Sequence, residues 1–230
     1  MPTPLTLISS MATKALLADL VAAFEQQQPD IAVTVTSVGG VDAARRVQAG
    51  EAFDIVALAS DAIERLGAGG FLVPASRVDM VHSDVAVAVP AGAPVPDIST
   101  EERLRAAVLA APTIGYSTGP SGVQLAALFQ RWGVAEQIAP RTLTPPPGVS
   151  VASLIAQGAV ALGFQQRSEM MGVAGIQVIG NLPAAVAIVT TFSAARAACS
   201  THAAAVQRFL NFVASPATAA LKQRHGMTAA

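Results

Sequence analysis

The spacing of apolar and polar positions predicts buried strands that alternate with amphipathic helices. A short apolar run at residues 5–8 is followed by two serines and then by apolar residues at helical spacing through Phe24. The same order returns over residues 31–48 and 53–66, and again from residue 113. Strands that alternate with helices are typical of parallel sheets, so the sequence predicts an α/β fold that begins with a βαβαβα segment.

The remaining elements follow from the same pattern and from the positions of Gly and Pro. The Pro- and Gly-rich segment at residues 91–96 is predicted to carry the chain from one lobe to another. The carboxyl-terminal third of the chain is predicted to be helical, at residues 203–213 and 216–224. Strands are predicted at residues 5–8, 31–37, 53–58, 84–89, 113–116, 159–164, 176–179 and 187–189, and helices at 16–24, 43–48, 62–66, 99–109, 123–132, 151–157, 203–213 and 216–224.

Four strand-to-helix turns carry small residues. A helix begins with unpaired amide N–H groups and roughly half a positive charge, so each turn can hold an anion. In open α/β sheets such turns converge on the crevice where ligands bind. A plain helix cap is the simpler interpretation of the first turn alone, but the repetition favours a ligand site. The four turns are Ser9-Ser10, Gly39-Gly40, Gly119 to Gly122, and Gly148-Val149-Ser150.

The amino-acid composition argues against several classes of function. The 230 residues are 52% hydrophobic and 13% charged, with a mean hydropathy of +0.51, and no apolar run reaches the length of roughly 18 residues that a membrane span needs. A net charge of −1 and 4% aromatic residues argue against nucleic acid as a partner. Cys199 is alone, and the three histidines are scattered, so no disulfide, metal site or cofactor is predicted.

The amino-terminal segment leads directly into the first predicted strand. It has no basic region, apolar stretch or cleavage site typical of a signal peptide. The sequence as written therefore predicts a cytoplasmic protein. A chain from which a signal peptide had been removed would look the same, and that protein would be periplasmic.

The order of these elements resembles the type II periplasmic binding proteins, and within them the molybdate-binding branch, which also includes aconitate-isomerase-like enzymes. The matching segments cover nearly the whole chain, in order. They are Gly39-Gly40, Ala44 to Gly50, Phe53 to Val56, Pro120 to Gly122, Gly158 to Phe164, Phe209 to Pro216, and His225 to Met227.

The resemblance implies two α/β lobes, each a mostly parallel sheet flanked by helices, with a ligand cleft between them. Residues 1–82 and 192–230 would form the first lobe, and residues 83–191 the second. The resemblance also implies a small anion that is held without a metal, by serine hydroxyls and backbone amides. An ABC transporter permease would be the partner if the protein is exported.

Most of the expected site residues follow from the resemblance. Polar residues also follow the predicted strand at 159–164, and they either point into the crevice or begin a solvated helix. The family's tyrosine falls near Gln166, and a family serine falls on Gly40 or Val41. These departures remove hydroxyl donors and favour a flat carboxylate over molybdate. The expected ligand contacts are Ser9, Ser10, Gly40, Val41, Tyr116, Ser121, the amide of Val149, Gln165 and Gln166.

Two function classes therefore remain, with a cytoplasmic ligand sensor as a third option. One is a binding protein for a small anion, most plausibly an organic carboxylate. The other is an isomerase of an unsaturated di- or tricarboxylic acid, in which helix amino ends stabilise an enolate-like intermediate. Such an enzyme needs a proton carrier, for which Ser10 and Tyr116 are candidates, with Glu169 and His82 as further ones.

Overall fold

The structure is a computed structural model that describes residues 1–146 and 149–230. Pro147 and Gly148, which belong to the fourth predicted turn, lie outside the described residues. The strands are β1 (Thr3–Ser10), β2 (Ile31–Val38), β3 (Ile55–Ala59), β4 (Val78–Pro90), β5 (Ile114–Tyr116), β6 (Thr142–Leu143), β7 (Leu162–Gln166), β8 (Ile176–Asn181), β9 (Val189–Arg196) and β10 (Met227–Ala229). The helices are α1 (Lys14–Gln27), α2 (Gly40–Gln48), α3 (Ser60–Ala68), α4 (Glu101–Ala110), α5 (Pro120–Arg131), α6 (Ala135–Ile138), α7 (Val151–Ala156), α8 (Arg167–Met170), α9 (Ala203–Ala214) and α10 (Ala219–Arg224).

The chain divides into two units. Unit 1 contains Met1–His82 and Thr191–Ala230, and unit 2 contains Ser83–Thr190. The chain leaves unit 1 within β4 and returns to it within β9. The Pro- and Gly-rich segment at 91–96 lies inside unit 2, so the prediction that this segment carries the crossing is wrong. An extended strand whose residues are mostly buried, from Met80 to Val89, carries the crossing instead.

Unit 1 has a mostly parallel sheet with helices on both faces. Strand β1 lies between β2 and β3, with Leu7 paired to Val35 on one side and to Ile55 on the other. On one face α1 and α9 bury an aromatic contact, Phe24 against Phe209, with ring centroids 5.1 Å apart. Helices α2 and α3 cover the other face. The βαβαβα prediction for the first 70 residues is confirmed.

Strand β9 differs from the sequence-based expectation. The sequence predicted a strand at residues 187–189 only and its next helix from residue 203, but β9 runs to Arg196 and pairs antiparallel with β3. Ala194 packs into the core on one face of the sheet and Ala195 into the core on the other. Burial on both faces selects a strand here, and it overrides the helical preference of an alanine-rich segment.

Unit 2 has a mixed sheet. Strand β5 pairs parallel with both β6 and β7, whereas β4 pairs antiparallel with β7 and with β8. Helices α4 and α5 cover one face, and α7 and α8 cover the other. The α/β class is confirmed. The antiparallel strands are β4 and β8, which lie beside the parallel group β6-β5-β7.

Two glycines on neighbouring strands allow α7 to pack closely onto this sheet. Gly115 of β5 and Gly163 of β7 are partners in the parallel register. A Cβ on Gly163 would lie 2.4 Å from Cδ1 of Ile155, and a Cβ on Gly115 would lie 3.2 Å from Cγ1 of Val151. The side chains of α7 therefore occupy the space that side chains at these two positions would fill.

Within the described parts of the chain, no helix is both long and apolar enough to cross a membrane.

Candidate functional site

In unit 1, three predicted contact residues meet at the carboxyl edge of the parallel strands. Ser9 and Ser10 end β1, and the Ser9 hydroxyl is hydrogen-bonded to the Ser37 hydroxyl of β2 at 2.8 Å. A Cβ on Gly40 would lie 3.7 Å from the Cβ of Ser10, so the start of α2 is next to Ser10. Ser9, Ser10 and Gly40 therefore line one edge, with Ser37 as a fourth member.

The two serines are not side-chain caps of the following helix. Ser10 precedes a 3₁₀ turn at Met11–Thr13, and its side chain makes no capping hydrogen bond. Instead the Thr13 hydroxyl donates to the Ser10 carbonyl at 3.2 Å. The interpretation of this turn as a plain cap is wrong. Since both hydroxyls lie at a strand end, on opposite faces, only one of them meets α2.

Helix α2 begins earlier than the sequence predicted. Its first residue is Gly40 rather than Ala43, and Gly39 precedes it in an extended conformation. The amides of Gly40 and Val41 therefore lie in the first helical turn, where no helical carbonyl reaches them. The side chain of Val41 is exposed. Asp42 in the same turn forms an ion pair with Arg45 at 2.6 Å, so its charge is compensated.

In unit 2, the edge that corresponds to this one is built by β5 and the start of α5. Helix α5 begins at Pro120, which has no N–H, so Ser121 and Gly122 supply the first helical amides. Ser121 is buried in this turn. A Cβ on Gly122 would lie 1.6 Å from the carbonyl oxygen of Ser117, so only glycine fits. The contact fixes the amino end of α5 against the loop that leaves β5.

Tyr116 is the last residue of β5 and is half-buried. Its ring packs edge-on against Phe129 of α5, with ring centroids 5.8 Å apart. The same ring lies 3.5 Å from the position of a Cβ on Gly122. Tyr116 is therefore held beside the first turn of α5 by packing, and Tyr116 and Ser121 belong to one local group.

Val149 does not offer its amide freely. The Val149 N–H donates to the carbonyl of Pro146 at 3.1 Å, and the Val149 side chain is exposed. Ser150 caps α7, because its hydroxyl accepts a hydrogen bond from the Ser153 N–H at 3.0 Å. The expected contact from the Val149 amide would require this internal bond to open.

Gln165 and Gln166 are the last two residues of β7, not the residues after it. The side-chain oxygen Oε1 of Gln165 accepts a hydrogen bond from the Ala152 N–H of α7 at 3.0 Å. The Gln166 Nε2 donates to the Thr190 Oγ1 at 2.7 Å. Both glutamines are buried, and because they are consecutive strand residues their side chains point to opposite faces. The interpretation as a solvated helix start is wrong for these two glutamines, because α8 begins after them, at Arg167.

The predicted proton carriers differ in their surroundings. Burial raises the pKa of Glu169 in α8 to about 7, and a hydrogen bond with the Gln165 side chain acts in the opposite direction. His82 lies in unit 1, where its Nδ1 is 2.9 Å from the Thr191 hydroxyl. Glu169 therefore has the pKa that suits proton transfer near neutral pH.

Sequence reasoning missed Ser83 and Thr190, which are buried polar residues on the two strands that carry the crossings. The Ser83 hydroxyl and the Gln166 Oε1 are buried, and neither has a hydrogen-bond partner within the described chain. A polar residue inside an otherwise apolar strand was the available signal.

Each of the two edges is rich in neutral hydrogen-bond groups. Hydroxyls and helix amides gather at both edges, and the described residues contain no cluster of three or more His, Cys, Asp or Glu that could hold a metal. Such groups bind anions by hydrogen bonding alone, without a compensating side-chain cation.

Known proteins resemble this chain in sequence and in fold. An aconitate isomerase from Pseudomonas sp is 32% identical over 219 residues, which cover 93% of this chain and 83% of that protein. The periplasmic molybdate-binding protein of Azotobacter vinelandii superposes with a TM-score of 0.80, at 19% identity, over 97% of this chain and 98% of that one. The sulfate-binding protein of Mycobacterium tuberculosis H37Rv superposes with a TM-score of 0.78, at 19% identity, over 98% and 86%.

The family model described as bacterial extracellular solute-binding protein matches residues 5–228. This match covers almost the whole length, and the expected resemblance to periplasmic binding proteins with oxyanion-binding relatives is confirmed. The chain therefore belongs to the bacterial extracellular solute-binding protein family.

Proposed function

We propose that this protein binds a small polycarboxylate through hydroxyls and helix amides at the carboxyl ends of its parallel strands. The observation that carries the proposal is the recurrence of one arrangement. In unit 1, Ser10 lies beside the first turn of α2, and in unit 2, Ser121 lies in the first turn of α5. Each arrangement combines a hydroxyl with unpaired helix amides, and each suits one carboxylate group.

A carboxylate is preferred to a tetrahedral oxyanion for two reasons. The amide side chains of Gln165 and Gln166 are buried at the end of β7, where they offer planar hydrogen-bonding groups. The relative from Pseudomonas, which is 32% identical, is named for activity on aconitate, a tricarboxylate. The relatives that are named for molybdate and sulfate are 19% identical, and they support the fold alone.

Isomerisation is the second candidate function, and Glu169 is the observation that favours it. A carboxyl group with a pKa of about 7 is ionised in part of the molecules at neutral pH and protonated in the rest. It could take a proton from a carbon next to a ligand carboxylate and return the proton to another carbon of the same allylic system. No atom is gained or lost, so the ligand is isomerised without a co-reactant.

A thermal-shift screen tests the binding proposal. The purified protein is melted with cis-aconitate, trans-aconitate, citrate or tricarballylate, and with molybdate or sulfate as the oxyanion arm. A carboxylate present at about 1,000 times its Kd should add roughly 4 kcal/mol to the free energy of unfolding. Stabilisation by molybdate or sulfate alone would contradict the proposal.

Proton exchange separates the two functions. Each stabilising carboxylate is incubated with the protein in D₂O, and the ligand is followed by NMR. An isomerase introduces deuterium at carbon and converts one isomer into the other, whereas a binding protein leaves the ligand unchanged. Glu169→Gln should abolish exchange while the carboxylate still stabilises the protein, because the variant keeps the size of the side chain.

The location of the protein in the cell also bears on whether it is a binding protein or an isomerase. A receptor would act outside the cytoplasm and pass its ligand to an ABC transporter permease, whereas an isomerase needs no such partner. Fractionation of cells that express the full-length natural gene, followed by detection of this chain, would assign it to the cytoplasm or the periplasm.

A further inference from the structure

Three buried polar side chains of unit 2 lie close together, near the residues at which the chain enters and leaves this unit. Ser83 is the first residue of unit 2 in β4, and Thr190 is its last residue in β9. Gln166 ends β7, which pairs with β4. The exposed fractions of Ser83, Thr190 and Gln166 are 0%, 6% and 4%, so all three residues are buried.

The strand register places these side chains on one face. Gln166 is directly opposite Val85 in the antiparallel pair of β7 with β4, and Ser83 is two residues before Val85 on the same face. The Val85 N–H donates to the Ile188 carbonyl, which fixes the start of β9 beside this part of β4. The 2.7 Å bond from Gln166 to Thr190 shows that the glutamine side chain reaches across to β9.

The hydrogen-bonding capacity of the group is only partly used. The Gln166 Nε2 donates to Thr190, while the Gln166 Oε1 and the Ser83 hydroxyl have no partner within residues 1–146 and 149–230. A buried acceptor or hydroxyl without a partner costs about 1–3 kcal/mol of folding free energy. The carbonyl oxygen needs a donor, and the serine hydroxyl can donate or accept.

We infer that Ser83, Gln166 and Thr190 form a subsite for an O–H group of the ligand, either a hydroxyl or an un-ionised carboxyl. An O–H group donates to the Gln166 Oε1 and accepts from Ser83, so it satisfies both unpaired atoms. A fully ionised tetrahedral oxyanion offers acceptors only, and it would face the Gln166 carbonyl oxygen without a proton between them. The subsite therefore favours carboxylate ligands that carry a hydroxyl or an un-ionised carboxyl over sulfate and molybdate. This inference rests on the proposed function, because it specifies the ligand class of the same site.

Two variants and one matched control test the subsite by calorimetric titration. Ser83→Ala removes the hydroxyl, and Gln166→Leu removes the acceptor. Thr191→Val is the control, since its hydroxyl is adjacent in sequence but faces His82 in unit 1. The ligands are citrate, tricarballylate, trans-aconitate and sulfate, and thermal melts of each variant report on folding.

The carboxylate that binds the unaltered protein most tightly should lose at least tenfold in affinity with either subsite variant. Its affinity should change less than twofold with Thr191→Val, and Gln166→Leu should narrow the preference for the carboxylate over sulfate. If Gln166→Leu does not fold, the smaller change Ser83→Ala still decides. Unchanged carboxylate affinity in a folded Ser83→Ala variant overturns the subsite and leaves the proposed function standing. Failure of the unaltered protein to bind any carboxylate overturns both.

The source of the O–H group is decided by comparing ligands and buffers. A hydroxyl makes citrate bind more tightly than tricarballylate, without proton uptake. An un-ionised carboxyl makes tricarballylate take up a proton on binding, which titrations in two buffers of different ionisation enthalpy detect. The proton-uptake measurement uses the Glu169→Gln variant, so that the carboxyl of Glu169 cannot take up a proton. The other charged groups adjacent in sequence are His82, Asp84 and Arg167, and Arg167 donates to Asn181 at 3.1 Å. Binding with neither signature overturns the subsite.

Discussion

Helices α2 and α5 both begin at the carboxyl edge of a parallel strand, but only α5 begins where no side chain fits. A Cβ on Gly40 at the start of α2 would meet Ser10 at an ordinary contact distance of 3.7 Å. A Cβ on Gly122 would lie 1.6 Å from a backbone oxygen. Glycine in unit 2 is thus required by the packing of backbone on backbone, whereas glycine in unit 1 leaves room beside Ser10. The two helix starts look alike in sequence and differ in what fixes them.

The two edges also differ in chemistry. The edge in unit 1 offers short hydroxyls, Ser9, Ser10 and Ser37, and the nearby carboxylate Asp42 is paired with Arg45. Unit 2 adds buried amide side chains and Glu169, whose pKa is raised to about 7. In the proposed function, unit 1 would therefore supply generic anion binding, and unit 2 would supply the groups that can select a ligand or move a proton.

The largest expected effect is that of Gly122→Ala. The new methyl group would overlap the Ser117 carbonyl, and the backbone must move because no rotamer relieves the contact. The free energy of unfolding should fall by at least about 3 kcal/mol, as for severe overpacking. Gly40→Ala is the matched control in unit 1, and it should change stability by no more than about 0.5 kcal/mol.

Urea denaturation of both variants measures this difference. Equal stability of the two alanine variants would show that the start of α5 tolerates a side chain, and the contrast between the two helix starts would be lost.

Gly163→Ala should have the next largest effect. Its Cβ would lie 2.4 Å from Cδ1 and 2.8 Å from Cγ1 of Ile155, which are buried side-chain atoms that can shift slightly. Overpacking of this kind costs about 1–3 kcal/mol. Adding Ile155→Val removes Cδ1, so the double variant should lose less stability than the sum of the single variants. Additive losses would show that α7 does not rest on this glycine.

The pH dependence of stability should report on Glu169. Because its pKa is raised from 4.5 to about 7 in the folded protein, the folded state binds more protons between these values than the unfolded state does. The free energy of unfolding therefore falls as pH rises from 4.5 to 7. Above pH 7 the full cost of burying the ionised Glu169 carboxylate applies. Glu169→Gln removes this cost, on the order of 1–3 kcal/mol at pH 8.

Thermal and urea melts of both proteins at pH 5 and pH 8 test this prediction. The advantage of the glutamine variant should grow with pH. An advantage that is the same at pH 5 and pH 8 would mean that the carboxyl is not desolvated in the folded protein.

The sequence predicted much of the fold because apolar spacing reports burial directly. The strand-helix alternation of the first 70 residues, the cap at Ser215 and the helix stop at Gly226 all agree with the structure. The segment from Phe192 to Ala195 was not predicted as a strand, since its burial on both faces depends on partners distant in sequence.

The candidate site was predictable in its positions but not in its bonding. Ser9, Ser10 and Gly40 were expected together from their strand and helix ends, and the structure places them together in unit 1. The bonds of Val149 to Pro146 and of Gln166 to Thr190 depend on loop closure and strand register. No local sequence pattern encodes either of those.

The most direct test of the account is calorimetric titration of trans-aconitate into the unaltered protein, Ser10→Ala, Ser121→Ala and the double variant. The account predicts one ligand per chain and an affinity about tenfold lower for each single variant, which corresponds to the loss of one hydrogen bond to a charged group. It also predicts a still lower affinity for the double variant, with thermal stability without ligand nearly unchanged in all three variants. Unchanged affinity in both single variants, or no binding of any carboxylate to the unaltered protein, would contradict it.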